Sequence, residues 1–248
     1  MASLRSILAR AIAPIAATFL LAMPAAAQNA LGTEVANALP DRGEFHLGLF
    51  NGGEADGTMR LGWIKRDDGI LLYDRTMMPS DGVYEVVTFD LAPDFTFRDA
   101  HILYYRGVAH LEVDLDFDGS HVTGRRTIHR LEEMTVEEVD LELPENSLPR
   151  PIAFLMPMVL SAEDGAETVF PWFGPLGNAM ADVTVTARPG GTIETPAGSF
   201  DTIRYEIRGG APDNDVYVTR GVDRRVVRID VVGQDMQFLA LPDPAAVE

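Results

Sequence analysis

Three aspartates at alternate positions have the residue type and spacing of metal ligands. Asp114, Asp116 and Asp118 precede Gly119, so the segment reads D-x-D-x-D-G, like the opening of a calcium-binding loop. Such a loop usually ends on a bidentate glutamate at its twelfth position, where this chain has Arg125. Two interpretations follow: a metal site at the three aspartates, or the solvated face of a strand on which every second residue is acidic.

A cluster of arginines near the C-terminus has the chemistry of an anion site. Its members are Arg220, Arg224, Arg225 and Arg228. If residues 221–223 form a loop between two strands, Arg220 faces Arg224, and like charges placed opposite each other destabilise a sheet unless something neutralises them. We therefore expect Arg220, Arg224 and Arg228 to bind an anionic ligand or headgroup. The alternative partners are two acids nearby in sequence, Asp223 and Asp230.

One apolar segment interrupts a chain that otherwise alternates. Residues 148–162 read LPRPIAFLMPMVLSA, with apolar side chains at helical spacing. Pro151 suits the first turn of a helix, whereas Pro157 kinks one. The segment is predicted as a short helix that either fills an open sheet as a core plug or covers a ligand cavity as a lid. In the lid interpretation the ligand contacts are Phe154, Leu155, Met156 and Trp172.

No group of residues in the sequence predicts a catalytic site. Seven acids between Glu132 and Glu145 are typical of a solvated strand face, and the chain has no cysteine and no G-x-S-x-G motif. His121 and His129 lie about 26 Å apart if they share a strand, so one zinc ion cannot bind both. We predict no cofactor and no catalytic residue. The alternative is a hydrolase whose acids or histidines are brought together by folding.

Period-two alternation predicts the strands that must position these residues. Alternating runs over 58–65, 70–76, 83–89 and 95–105 are separated by turns rich in Gly, Asp and Asn. They belong to a first strand set over 43–143, and a second strand set spans 166–241. The sequence therefore predicts a single all-β, mainly antiparallel domain over 28–248, with a strongly curved sheet or half-barrel and one short mid-chain apolar helix near 148–162.

The hairpin around Gly119 shows the alternation most clearly. Apolar residues at odd positions from 111 to 117 alternate with acids at even positions from 112 to 118. If Asp118 and Gly119 form a two-residue loop, Phe117 pairs with Ser120 and Asp114 pairs with Thr123. This register gives the hairpin one polar face and one apolar face.

Two segments with proline and glycine predict turns in the C-terminal half of the chain. The first is PGG over 189–191, and the second is PAG over 196–198. In the second turn Pro196 presets its own φ and Gly198 takes a positive φ. Phe200, which follows, is predicted to be a core side chain.

The second of these turns resembles the hallmark of a bacterial envelope family. The chain reads TIETPAGSFD over 192–201 and continues as IRYEI over 203–207. The family it resembles is known as a periplasmic domain of unknown function with a TPAG-F hallmark. The resemblance implies an antiparallel, strongly curved sheet similar to the half-barrels of lipoprotein carriers. It implies no catalytic residue.

The first 27 residues have the three-part pattern of a secretory signal peptide. Arg5 and Arg10 precede an apolar stretch over 11–23, and small residues over 25–27 form a cleavage site before Gln28. We predict a signal peptide over 1–27, a periplasmic location and no membrane span in the mature chain. With 20 basic against 38 acidic residues the net charge is −18, which argues against a nucleic-acid partner.

These observations predict an exported envelope protein that is not an enzyme. Its curved sheet is expected to hold an apolar or amphipathic ligand, such as a lipid-like molecule, or a partner chain from the envelope. The alternatives are the periplasmic hydrolase described above and a purely structural protein of envelope biogenesis.

Overall fold

The computed structural model describes residues 29–210 and 212–242, so the predicted signal peptide over 1–27 lies outside the described residues. Helix α1 spans Ala30–Ala38 and helix α2 spans Ile152–Leu155. The strands in chain order are β1 (Arg42–Asn51), β2 (Glu54–Lys65), β3 (Ile70–Met78), β4 (Val83–Leu91), β5 (Phe97–Arg106), β6 (Ala109–Asp118), β7 (His121–Arg130), β8 (Glu133–Glu142), β9 (Leu148–Pro149), β10 (Glu167–Gly174), β11 (Ala179–Thr195), β12 (Gly198–Arg208), β13 (Asn214–Thr219), β14 (Val226–Val231) and β15 (Met236–Ala240).

All of these strands belong to one sheet, which extends in two directions from β1. Strand β1 pairs with β2 on one side and with β15 on the other, giving the order β8-β7-β6-β5-β4-β3-β2-β1-β15-β14-β13-β12-β11-β10-β9. Neighbouring strands are antiparallel except β9 and β10, which are parallel. The sheet does not close, because β8 and β9 are its two edges. The predicted all-β, mainly antiparallel fold is confirmed.

The sheet curls so that the end carrying β10 lies inside the curve. Val113 and Phe117 of β6 point to the interior, since alternate residues of a strand share a face. Phe173 of β10 packs on that interior face, with its ring centroid 6.0 Å from that of Phe97 and 6.2 Å from that of Phe117. Trp172, on the opposite face of β10, is buried as well. Both faces of β10 are therefore covered.

The apolar segment over 148–162 contains less helix than the sequence predicts. It begins as β9, continues as the single helical turn α2 and ends in a 3₁₀ turn over Met156–Met158. The tighter turn accommodates Pro157, whose ring and missing N–H break a regular α-helix. Leu155 and Met156 are fully buried among the core side chains of the curled sheet.

A second helix, α1, was not predicted from the sequence. It precedes β1, and its N-cap is Asn29, whose side chain accepts a hydrogen bond of 3.0 Å from the backbone N–H of Gly32. Val35 and Ala36 are its buried apolar residues. Within residues 29–210 and 212–242, none of the helices combines the length and apolar character needed to cross a bilayer.

The register predicted for the β6–β7 hairpin is wrong by two residues. Asp118 pairs with His121, so Gly119 and Ser120 form the loop, and Gly119 has the positive φ of 65°. Asp114 pairs with Arg125 rather than with Thr123. The two faces are nevertheless as predicted, because a shift of two residues keeps every side chain on its own side of the sheet.

Two further predictions in the C-terminal half are corrected. Residues 189–191 do not turn the chain: β11 runs through them, and the register shifts between Pro189 and Gly191 as in a β-bulge. Phe200 is half-buried rather than in the core, and the guanidinium carbon of Arg225 lies 4.8 Å from the centroid of its ring. The predicted positive φ of Gly198 is confirmed, at 125°.

Candidate functional site: an inner pocket with two carboxyl groups

Two acids interrupt the apolar inner face of the neighbouring strands β3 and β4. Asp74 follows Ile70 and Leu72 at alternate positions of β3, and both of these residues are buried. On β4, Glu85 stands between the buried residues at positions 83 and 87. Asp74 pairs with Val87 and Glu85 pairs with Thr76, so the two acids are diagonal neighbours on the same face.

Both acids line a cavity of about 380 Å³, which we call the inner pocket. It lies between β2–β5 and β13–β15. Its apolar lining consists of Met59, Met78, Val83, Phe154, Ile229, Val231, Met236 and Phe238. Its polar lining includes Asp74, Thr76, Glu85, Tyr104, Arg150 and Asn214. A cavity with a mainly apolar wall and a few convergent polar groups is the usual form of a small-molecule site.

The two carboxyl groups lack an ionic partner of their own. Thr76 donates a hydrogen bond of 3.0 Å from Oγ1 to Oδ1 of Asp74. Within residues 29–210 and 212–242, neither Asp74 nor Glu85 forms a salt bridge. Burial and the neighbouring Glu85 carboxylate raise the pKa of Asp74 to about 7. Burial also raises the pKa of Glu85, and the positive charge of Arg150 opposes both shifts.

Arg150, which belongs to the apolar segment, is the cation whose positive charge lowers the pKa of both acids. Its backbone N–H donates a hydrogen bond of 3.0 Å to the carbonyl oxygen of Phe173, which fixes the start of the segment against β10. Its guanidinium carbon lies 5.6 Å from the centroid of the Trp172 ring. The Nε atom of Arg150 is buried and has no hydrogen-bond acceptor. A buried donor without an acceptor thus belongs to the same arginine that lies near two carboxyl groups with no salt bridge among the described residues.

The structure divides the predicted ligand contacts between the pocket and the core. Phe154 lines the inner pocket. Leu155 and Met156 are fully buried in the core. Trp172 is also buried and reaches the pocket indirectly, through its contact with Arg150. The apolar segment thus packs as a plug while presenting Phe154 to the cavity.

The predicted metal ligands lie along the outer face of β6 and do not converge. Asp116 lies one two-residue strand repeat along from Asp114, and Asp118 lies two repeats along. Instead, a nitrogen of His101 and carboxylate oxygens of Glu112 and Asp114 lie within 4.8 Å of one another. The Nδ1 atom of His101 is 2.7 Å from Oδ1 of Asp114, a distance that a hydrogen bond between the two side chains already explains.

The three arginines of the predicted anion site point to different partners. The Nε atom of Arg220 lies 3.4 Å from a carboxylate oxygen of Asp201, and that of Arg228 lies 2.6 Å from one of Asp230. Arg224 donates from Nη1 to the carbonyl oxygen of Leu160 at 2.5 Å. The structure therefore uses Arg224 to hold the end of the apolar segment, and it does not gather the three guanidinium groups around one point.

Sequence reasoning missed the residues that define the inner pocket, although part of the signal was present. Asp74 and Glu85 occupy positions that period-two alternation assigns to the apolar face of two predicted strands. An acid at such a position is a local inconsistency, and inconsistencies of this kind are expected at functional sites. Arg150 gave no comparable signal, because its contact with the strands depends on how the sheet curls.

Comparison of this chain with known proteins gives a low structural similarity to a solved protein and no sequence match. Neither a protein-family model nor a curated protein sequence matches the chain. A crystal structure described as a β-barrel-like protein of the domain of unknown function DUF1849, from Brucella abortus, aligns with 81% of this chain and 95% of that chain. The sequence identity is 11% and the TM-score is 0.44.

Proposed function

We propose that this protein is an exported envelope protein whose inner pocket holds an apolar or amphipathic small molecule. The observation that carries the proposal is the cavity of about 380 Å³, walled by apolar side chains and open to a few polar groups. Three of the lining residues are methionines, at positions 59, 78 and 236. Their flexible side chains adapt to apolar ligands of different shape.

The curled sheet supports the same proposal. Strands on opposite sides of the pocket are joined through β1 and β15, so the cavity walls are held by continuous backbone hydrogen bonding. The apolar segment fills the core beside the pocket, with Leu155 and Met156 in the core and Phe154 at the cavity wall. A fold that fills part of its interior in this way and leaves a cavity beside two acids is suited to holding a ligand.

Export and family membership are part of the proposal. The signal-peptide pattern over 1–27 supports a periplasmic location, and the TPAG-F segment over 192–201 supports a relation to the periplasmic family it resembles. N-terminal sequencing of the protein recovered from the periplasm should give Gln28 as the first residue. A chain that retains Met1 and stays in the membrane pellet would contradict the export proposal.

The binding proposal is tested by narrowing the pocket. Dodecanol should bind the wild-type protein in a calorimetric titration. Met236→Phe adds volume inside the pocket and should weaken this binding, whereas Met134→Phe makes the same change at an exposed position. If dodecanol fails to bind wild type, or if both variants bind it equally well, the inner pocket is not the binding site.

A purely structural role and the hydrolase are the other outcomes of this test. Among the described residues that line the pocket there is no histidine and no serine, so the cavity itself assembles no nucleophile with an imidazole base. The hydrolase alternative would require turnover of an ester or glycoside that Asp74→Asn and Glu85→Gln abolish. A protein that neither binds the alcohol nor turns over such substrates has a structural role.

A further inference from the structure

We propose that the ligand of the inner pocket carries an ammonium group at its polar end, held between Asp74 and Glu85. This inference rests on the proposed function and names the chemical class of the ligand. It starts from the position of the two acids, which share one cavity wall with the apolar residues at 59, 78 and 83. A molecule lying in this cavity meets hydrocarbon surface along most of its length and carboxyl groups at one place.

Several other partly buried carboxyl groups of the protein are paired with arginines. Asp215 lies 2.6 Å from Arg208, and its side chain is 16% exposed. Glu206 lies 2.8 Å from Arg204, and Asp230 lies 2.6 Å from Arg228. Removing a carboxylate from water is costly unless a cation or hydrogen-bond donors compensate it, which explains these pairs. Asp74 and Glu85, which line an apolar cavity, have no such pair within the described part of the chain.

Arg150 does not supply the missing partner. It lies near enough to oppose the rise in the pKa of both acids, yet it forms no salt bridge with either of them. Its guanidinium group lies over the ring of Trp172, and its buried Nε has no acceptor. With both acids ionised, two carboxylates and one guanidinium leave the pocket one negative charge. A singly charged cation would balance that charge.

An ammonium group fits this arrangement better than the other common headgroups. It is compact and has three hydrogen-bond donors, which is enough to serve carboxyl groups on two neighbouring strands. A carboxylate or phosphate headgroup would face two like charges. A hydroxyl headgroup would leave the negative charge unpaired. An alkylamine or an aminolipid is therefore the class of ligand that satisfies both the apolar wall and the acids.

The test compares headgroups on one hydrocarbon chain. Dodecylamine, dodecanol and dodecanoate are titrated into the mature protein at pH 8, below their aggregation concentrations. We expect dodecylamine to bind about tenfold or more tightly than dodecanol, because charge-assisted hydrogen bonds are the stronger kind. Dodecanoate should bind most weakly. Dodecanol should displace the amine, since both occupy the same cavity.

Isosteric variants assign the effect to the two acids. Asp74→Asn and Glu85→Gln should each reduce amine affinity about tenfold, a larger change than either makes to dodecanol affinity. Glu138→Gln removes the same charge from the outer face of β8 and should change neither affinity, which controls for the general attraction of a cation to an acidic protein. If one variant does not fold, the other variant and the headgroup ranking of the wild-type protein still decide the question.

The two proposals fail in different ways. If none of the three compounds binds, the pocket is not a ligand site and the proposed function is wrong. If dodecanol and dodecylamine bind equally, or dodecanoate binds best, the binding function stands and the ammonium inference is wrong. The inference is also overturned if the amine binds most tightly but Asp74→Asn and Glu85→Gln behave like Glu138→Gln.

Discussion

Carboxyl groups on the two faces of this sheet have very different surroundings. On the outer face, Asp114 lies 2.7 Å from His101 and 3.5 Å from Arg125, and all three side chains are in contact with solvent. On the inner face, Asp74 and Glu85 point into an apolar cavity and form no salt bridge within the described residues. The same residue type is thus compensated by the protein on one face and left uncompensated on the other.

This difference separates acids that water and nearby cations stabilise from acids that lack an ionic partner within the described residues. Water and nearby cations stabilise an exposed carboxylate, so its presence needs no further explanation. A carboxyl group turned toward hydrocarbon keeps its proton up to higher pH or requires a partner. The following predictions change one face at a time, and they are ordered from the largest expected effect to the smallest.

The largest effect is expected from removing bulk inside the curled sheet. Leu155→Ala should lower the free energy of unfolding by about 2–5 kcal/mol, because Leu155 is 0% exposed and its deletion leaves a cavity. Leu131→Ala, at a leucine that is 82% exposed, should change it by less than about 0.5 kcal/mol. Denaturant titration of both variants measures the contrast. Equal losses would mean that the apolar segment is not a packed plug.

Neutralising an inner acid should stabilise the protein in a pH-dependent way. The pKa of Asp74 is raised to about 7, so the folded state holds its proton more tightly than the unfolded state. The resulting stability is fully present below about pH 4, the unfolded pKa, and is lost as pH rises through about 7. Around the carboxyl group the other charged or ionisable groups are Glu85, Tyr104 and Arg150.

Asp74→Asn removes this dependence. At pH 8 the variant should be more stable than wild type by up to about 4 kcal/mol, and at pH 4 the two should be nearly equal. Asp116→Asn, at an exposed position of the outer face, serves as the control and should shift stability by less than about 0.5 kcal/mol at either pH. Thermal unfolding of wild type and both variants at pH 4 and pH 8 measures these differences in stability. A constant difference between wild type and Asp74→Asn would contradict the raised pKa.

A smaller loss of stability is expected at a turn where the backbone conformation, rather than burial on either face of the sheet, requires glycine. Gly198 has a φ of 125°, which a β-branched residue resists, and an added Cβ would lie 4.0 Å from the Phe200 ring, an ordinary contact distance. Gly198→Val should therefore cost about 1–2 kcal/mol through backbone strain alone. Gly177→Val is the matched control, since an added Cβ there has no atom within 4 Å and its φ is not in the left-handed region. Equal melting temperatures for the two variants would show that the turn does not require glycine.

The smallest effect on stability is expected at an exposed pair on the outer face. The Nε2 atom of His121 lies 2.9 Å from Oδ1 of Asp140, and this hydrogen bond raises the pKa of His121. Asp140→Asn should lower the pKa of His121, as measured by NMR titration, and leave the melting temperature unchanged. An unchanged His121 pKa would show that the pair does not persist in solution.

The β6–β7 hairpin shows which structural features the local alternation of residues predicts and which it does not. The alternation of apolar residues with acids gave the correct faces, although the register was wrong by two residues. The error hid a contact: His110 pairs with His129, and their ring centroids lie 4.0 Å apart. Composition alone does not say which two of the residues 118–121 form the loop, because glycine at 119 fits the first or the second position of a tight turn.

The amino-acid sequence by itself determined the strand content, the antiparallel pairing of chain neighbours and the set of residues that share each face. These features follow from period-two alternation and from turn residues, both of which act over a few positions. Tertiary structure decided which face is enclosed. It placed Arg150 beside Asp74 and Glu85, and it separated Phe154 in the pocket from Leu155 in the core. Those outcomes depend on how the sheet curls around the apolar segment, which is set by packing between residues far apart in the chain.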